Sequence, residues 1–248
     1  MSDGSYPGAL SWPDAERRLA AVDGLISDAQ AMRLFERARA VPDGGRIVEI
    51  GSYKGRSTVA LALGAPGGAE IVAIDPYLPS EAGAPFDEGE AAKRSFFENL
   101  RQCGVADRVR QVRRRSGDAS EEVEGEIDLL WIDGDHGYRA VRRDVQVWAA
   151  RVPPGGTMLL HDAWSSLLVT AAIVRTVSFS PRWRYRGRVG SMVEYRRATD
   201  RRGLARSVAR QLAELPWFGR NLAIKAVQIA RIPRLARLLG HRDDFPPY

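Results

Sequence analysis

Two short segments concentrate the residue types that move protons or hold cations: Asp133-Gly134-Asp135-His136 and His161-Asp162. An imidazole with an ordinary pKa of about 6.5 is largely neutral at cytosolic pH and accepts a proton readily. Aspartate carboxylates are hard oxygen donors that suit magnesium or manganese, whose charge would acidify a nearby hydroxyl. The plainer alternative makes Asp133 and His136 turn and capping residues, with His161 hydrogen-bonding its neighbours.

A second constellation reads Val48-Glu49-Ile50-Gly51-Ser52-Tyr53-Lys54-Gly55. Its two glycines let the backbone pass close to a ligand, and a helix beginning just beyond would offer free N–H groups. Strand-to-helix turns of this shape occur in many folds. Asp75, at the end of the next apolar segment, is placed to accept hydrogen bonds from both hydroxyls of a ribose. A nicotinamide dinucleotide would use such an aspartate equally well, but its G-x-G-x-x-G fingerprint needs three glycines where this turn has Gly51 and Gly55.

The elements that must position these residues alternate along the chain. Short apolar strands are predicted at 46–50, 70–75, 108–114, 127–133 and 157–162, with helices at about 29–38, 57–63, 91–103, 138–150 and 165–176. The first helix has a capping candidate at Ser27 or Asp28. Residues 183–197 read as a hairpin around Gly187 to Gly190. Seven strands in this order argue for an α/β fold, a doubly wound sheet with an antiparallel terminal hairpin, and ligands bind such sheets beyond the carboxyl ends of the strands. Both constellations fall there. The proline- and glycine-punctuated stretch 76–90 is a lid candidate or an insertion. Trp131 and Trp148 lie on apolar patterns and are expected in the core, and the single cysteine, Cys103, permits no internal disulfide.

Taken together, VEIGSYKGRST, IVAIDPY, LLWIDGDHGYRAVRRDV and VPPGGTMLLHD resemble the class I S-adenosylmethionine-dependent methyltransferase family over about residues 25–197. Within it they look most like bacterial O-methyltransferases acting on sugars, including macrolide-sugar enzymes and those of mycobacterial methylated polysaccharides. The resemblance implies a Rossmann-like sheet and S-adenosyl-L-methionine as cofactor. It implies a cofactor site lined by Glu49, Gly51, Ser52, Ser57, Asp75 and Asp133, with Glu49 near the methionine end and Ser116 and Asp118 near the adenine. It also implies a divalent metal, Mg2+ or Mn2+, on Asp133 and Asp162, with His161 as third ligand or substrate contact. Catechol-type relatives place a lysine where this chain has His136 and an asparagine where it has Ala163. Sugar-type relatives have the histidine, so His136 is read as the general base. Tyr138 and Trp164 follow the same strand ends and are candidate acceptor contacts. The expected activity is methyl transfer to a hydroxyl of a sugar, oligosaccharide or glycoside, such as a mannoside of methylmannose polysaccharide synthesis. A metal-independent methyltransferase of another small molecule and a non-catalytic cofactor-binding protein stand beside it.

The net charge of +6 sits in the tail, where residues 200–248 hold ten basic and four acidic side chains and the rest of the chain is neutral. The domain itself therefore shows no general attraction for nucleic acid. Three parts follow: an N-terminal extension (1–24), the methyltransferase-like domain (25–199), and a basic amphipathic helical C-terminal extension (200–248). The tail's apolar residues need a cover, which self-packing, a homodimer or peripheral contact with an anionic membrane would provide. No secretory signal is read at the N-terminus and Lys225 interrupts the best apolar run, so the expectation is a cytoplasmic protein without a membrane span.

Overall fold

In a parallel sheet buried on both faces, strands read as near-continuous apolar runs, and β1 (Arg46–Ile50) and β2 (Glu70–Ile74) do so after their first residue, Glu49 excepted. In the computed structural model, which describes residues 10–78, 87–230, 238 and 240, they join β3 (Val109–Val112), β4 (Leu129–Ile132), β5 (Thr157–Leu160), β6 (Trp183–Val189) and β7 (Met192–Arg197) in one seven-stranded sheet. The order is β3-β2-β1-β4-β5-β7-β6. The first five strands are parallel, and the β6–β7 hairpin runs antiparallel, with β7 paired to β5. This is the expected architecture, with β2 to β5 one to three residues shorter than the apolar patterns suggest.

Helices cover both faces. Ile47, Ile71, Leu129, Trp131 and Leu159 point to one core, shared with α1 (Trp12–Leu19), α2 (Asp28–Arg39), α3 (Arg56–Gly64) and α4 (Asp87–Gln102). Val48, Val72, Leu130, Ile132 and Met158 point to the other, shared with α5 (Tyr138–Trp148) and α6 (Leu167–Ile173). The two-residue alternation of strand side chains is what divides them. Trp131 and Trp148 are fully buried, as expected. The start of α2 is fixed by a capping box, in which Ser27 Oγ accepts from Gln30 N at 3.3 Å and Gln30 Oε1 accepts from Ser27 N at 2.9 Å.

Two features depart from the sequence reading, and a third, the tail, takes one of the covers that reading allowed. The N-terminal extension contains α1, which buries Ala15 and Leu19 in the first core. Helix α4 begins four residues earlier than its periodicity suggested, inside the candidate lid, of which 79–86 lie outside the described residues. The basic tail forms α7 (Leu204–Leu212) and α8 (Leu215–Ile229), which pack on this same chain. Ser207 Oγ accepts from Tyr185 N at 2.8 Å, Tyr195 Oη donates to Gln211 Oε1 at 2.7 Å, and Glu214 accepts from Tyr185 Oη and Arg188 Nε at 2.8 and 2.7 Å. Most of 231–248 lies outside the described residues. No helix among the described residues is long and apolar enough to cross a membrane.

Candidate active site

The strand order reverses between β1 and β4, and at such a switch point the chain leaves a crevice beyond the carboxyl edge. A cavity of about 530 Å³ opens there, lined by Gly51, Ser52, Asp133, His136, His161, Asp162 and Lys225 among others. Gly51 shows why the edge is so close. Its φ is +84°, and a Cβ at that position would stand 2.1 Å from the carbonyl oxygen of Asp133 on the neighbouring strand end. Only glycine satisfies both conditions. Gly55, with φ +88°, then turns the chain into α3, whose first turn has no side-chain cap. Its N–H groups remain available to an anionic ligand group.

Glu49 lies beneath this turn and is fully buried. Its carboxyl accepts from Ser57 Oγ at 2.5 Å and from Thr58 Oγ1. Burial raises its pKa to about 7, against the hydrogen bonds from these hydroxyls. Asp75 is the clamp of the turn: its Oδ2 accepts from Ser52 N and Tyr53 N, both at 2.9 Å, and its Oδ1 from Tyr77 N at 2.7 Å. Among the non-glycine residues Tyr53, Tyr77, Asp162 and Trp164 have positive φ, and all four sit in loops at this edge. Backbone strain of this kind persists where surrounding structure enforces it.

The ends of β4 and β5 bring four titratable side chains together. His161 Nδ1 is 3.0 Å from Asp133 Oδ1 and 3.6 Å from Asp162 Oδ1, and His161 Nε2 is 3.1 Å from Ser191 Oγ. Gln30 Nε2 donates to that Ser191 oxygen at 3.3 Å, and the edge of the Trp131 ring packs on the imidazole. His136 lies between the two carboxylates, its Nδ1 3.4 Å from Asp162 Oδ2 and its Nε2 3.8 Å from Asp133 Oδ1. The histidines differ in access: the His136 side chain is 54% exposed and that of His161 is 5%.

The electrostatics follow from this packing. Asp133 raises the His136 pKa above its ordinary value through a hydrogen bond, outweighing burial, with the charge of Asp162 adding to the effect. For His161 burial opposes the cation, yet Asp133 and Asp162 prevail and its pKa also rises. Burial alone would raise Asp133, but the two imidazoles hold its carboxyl below the ordinary range.

Several expected contacts are arranged otherwise. Ser116 Oγ donates to Asp144, Asp118 is exposed at the start of a short 3-10 turn, and neither lines the cavity. Asp75 does not line it either. Trp164 is buried, its ring 6.0 Å from that of Phe218, and Tyr138 packs at the start of α5; neither reaches the cavity. The expected metal ligands are paired with other groups. Both ring nitrogens of His161 are engaged, Asp133 faces two imidazoles, and among the described residues no group of three or more His, Cys, Asp or Glu side chains has an arrangement able to hold a metal ion. The residues at this edge therefore form a hydrogen-bonded acid–imidazole cluster in place of a ligand cage. Sequence reasoning missed Ser166, Ser191 and Lys225. In the sequence Lys225 shows only as a break in an apolar run, and the docking of α8 brings it to the cavity.

Comparison with known proteins agrees with this geometry. Residues 48–163, just under half of the chain, match the family model of a methyltransferase domain. An uncharacterized protein, y4gI, of Sinorhizobium fredii is 28% identical over 121 residues, 47% of this chain, and the match spans only 13% of that relative's length. Among solved structures, cofactor-bound Rv0187 from MTB superposes with a TM-score of 0.56 at 22% identity, covering 75% of this chain and 88% of that one. The O-methyltransferase TomG from Streptomyces achromogenes, involved in tomaymycin synthesis and solved with SAM, superposes with a TM-score of 0.55 at 19% identity, covering 78% and 91%. Over residues 48–163 the chain is thus similar to a methyltransferase domain, and its seven-stranded fold is shared with these solved structures.

Proposed function

We propose that this protein is an S-adenosylmethionine-dependent O-methyltransferase acting on a hydroxyl of a sugar or glycoside, with His136 as general base. The observation that carries the reading is His136 itself, an accessible imidazole held between Asp133 and Asp162 on the wall of the cavity that begins at the Gly51 turn. Similarity to an O-methyltransferase solved with SAM supports the cofactor and the oxygen acceptor.

The chain's residues fit the cofactor. The glycine turn, the open first turn of α3 and the polar groups of Ser52 and Ser57 would hold its amino-acid end, with Glu49 below them. Glu49, Asp75 and Asp133 hold the framework of that pocket. When bound, the cofactor supplies an electrophilic methyl group on a sulfonium. What the protein adds is alignment and removal of a proton from a weakly acidic hydroxyl. Asp162, 3.4 Å from Nδ1, orients the His136 ring. Nε2, 3.8 Å from Asp133 Oδ1, is the nitrogen that would take the acceptor's proton. His161 keeps Asp133 ionised and in place, and Ser191 fixes the His161 ring.

The mechanism is written without a divalent metal, because His161, one of the expected ligands, already pairs with Asp133 and with Ser191. That observation favours the metal-independent form of the reaction.

The test is calorimetric titration of the full chain with S-adenosylhomocysteine, with NAD as control, followed by turnover on a panel of sugars and glycosides. Binding of S-adenosylhomocysteine but not NAD is expected. A His136→Ala variant should bind it equally well and lose turnover by about 100-fold or more. Equal turnover by that variant overturns the assignment of the base.

A further inference from the structure

Helix α8 is fixed over the site by three contacts. Asn221 Nδ2 donates to Trp164 O at 3.0 Å, Phe218 packs edge-on against Trp164, and Ile224 is buried. These contacts place the next residue, Lys225, on the wall of the cavity that His136 and Asp162 also line. The basic tail therefore contributes a cation to the catalytic cavity.

Cations on this wall are otherwise committed. Lys54 pairs with Asp23 at 2.5 Å. Arg56 pairs with Asp28 at 2.5 Å and donates to the carbonyls of Leu19 and Val22. The two histidines are engaged with Asp133 and Asp162. Lys225 is half-buried, and no carboxylate among the described residues lies within 4.0 Å of its ammonium. Burial lowers its pKa while the more distant charge of Asp162 raises it. A partly desolvated ammonium with no described carboxylate in contact gains most from an incoming anion, since the cost of stripping its water is already met in the free protein. The wall's apolar members, Leu25 and Ile26, cannot supply that charge.

We propose that Lys225 is the specificity-determining residue of the acceptor site, and that the acceptor carries an oxyanion, a carboxylate or a phosphate, near the hydroxyl that is methylated. The proposal rests on the methyl-transfer reading for the second half of that statement only. The pairing of Lys225 with an anion in the cavity stands or falls separately.

The chain has three lysines, Lys54, Lys93 and Lys225, so acetylation by a small reagent followed by mass spectrometry reads each separately. The full chain, saturated with S-adenosylhomocysteine where that binds, is acetylated in the presence of matched sugars: glucose against glucuronate, and mannose against mannose 6-phosphate. The expected result is that an anionic member slows acetylation of Lys225 by about tenfold, its neutral partner by less than about twofold, with Lys54 and Lys93 unchanged. Protection by glucuronate alone or by mannose 6-phosphate alone identifies the oxyanion. Equal effects of neutral and anionic partners, or no protection by either anion, overturn the proposal. Protection without binding of S-adenosylhomocysteine would keep the anion site and sink the methyltransferase reading; binding without protection would do the reverse. With an anionic acceptor that is turned over, Lys225→Met should raise KM by about tenfold or more with kcat little changed, and Lys225→Arg should restore it. A loss of kcat alone, unrescued by arginine, would mark Lys225 as structural.

Discussion

His161 Nδ1 stands 3.0 Å from Asp133 Oδ1, so the buried histidine that ends β5 is joined to the carboxylate that ends β4. The bond joins two adjacent parallel strands, and His136, 3.8 Å from the same oxygen, is the more exposed of the two imidazoles on the cavity wall. In the proposed mechanism one histidine supports the carboxylate and the other meets the acceptor.

Activity should depend on pH with a sign set by His136. Asp133 first, then the charge of Asp162, raises its pKa above 6.5, and only the neutral ring accepts a proton. Turnover should rise with pH through a midpoint above 6.5, and Asp162→Asn should move that midpoint down by removing a negative neighbour. The stability linked to this group runs the other way. It is fully present below the unfolded pKa and lost as pH rises through the folded value. A pH–rate profile of both proteins checks the first part, and a midpoint unmoved by Asp162→Asn refutes the assigned partner.

Glu49 predicts a second pH effect, on folding. Its pKa is about 7 in the folded protein against an ordinary 4.5, so the native state binds the extra proton between those values. Stability should fall as pH rises through that window, by an amount on the order of 3 kcal/mol. Glu49→Gln should flatten the dependence and be neutral or stabilising at alkaline pH. Urea unfolding at a series of pH values measures it.

Gly51→Ala should be among the most damaging single-atom additions. The new Cβ would meet the Asp133 carbonyl and sit at φ +84°. The expected loss is on the order of 3 kcal/mol or more, together with loss of S-adenosylhomocysteine binding. Denaturant midpoints and calorimetry read the two effects, and a variant of wild-type stability would disprove the close approach.

Chelation should leave turnover unchanged within about twofold, because metal binding would require His161 to release Asp133 or Ser191. Dialysis against EDTA, with magnesium added back, decides it. Activity abolished by EDTA and restored by magnesium would show that the cluster rearranges into a ligand set.

Much of this was legible before folding was considered. The runs 46–50 and 70–74 are strands because their apolar residues suit a surface buried on both sides, and Gly51 and Gly55 mark the turn that follows. The residues 133, 136, 161 and 162 could be picked out by type and by their places at strand ends. Ser116 and Asp118 were assigned by resemblance, and Tyr138 and Trp164 by the strand ends they follow, neither of which says which way a side chain turns. Trp164 illustrates the gap: a positive φ and the Phe218 ring draw it into the core.

What the sequence determined by itself, then, was the order of elements and the set of polar residues at their ends, because hydrophobic periodicity and turn chemistry are local properties. Only the tertiary structure decided how those residues pair. The hydrogen bonds of His161 to Asp133 and to Ser191 span 28 and 30 positions, and the approach of Lys225 to the cavity spans nearly the whole domain. Contacts at such separations depend on strand order and helix docking, which no local pattern encodes, and they join the polar strand ends into an acid–imidazole cluster with Lys225 on the same cavity wall.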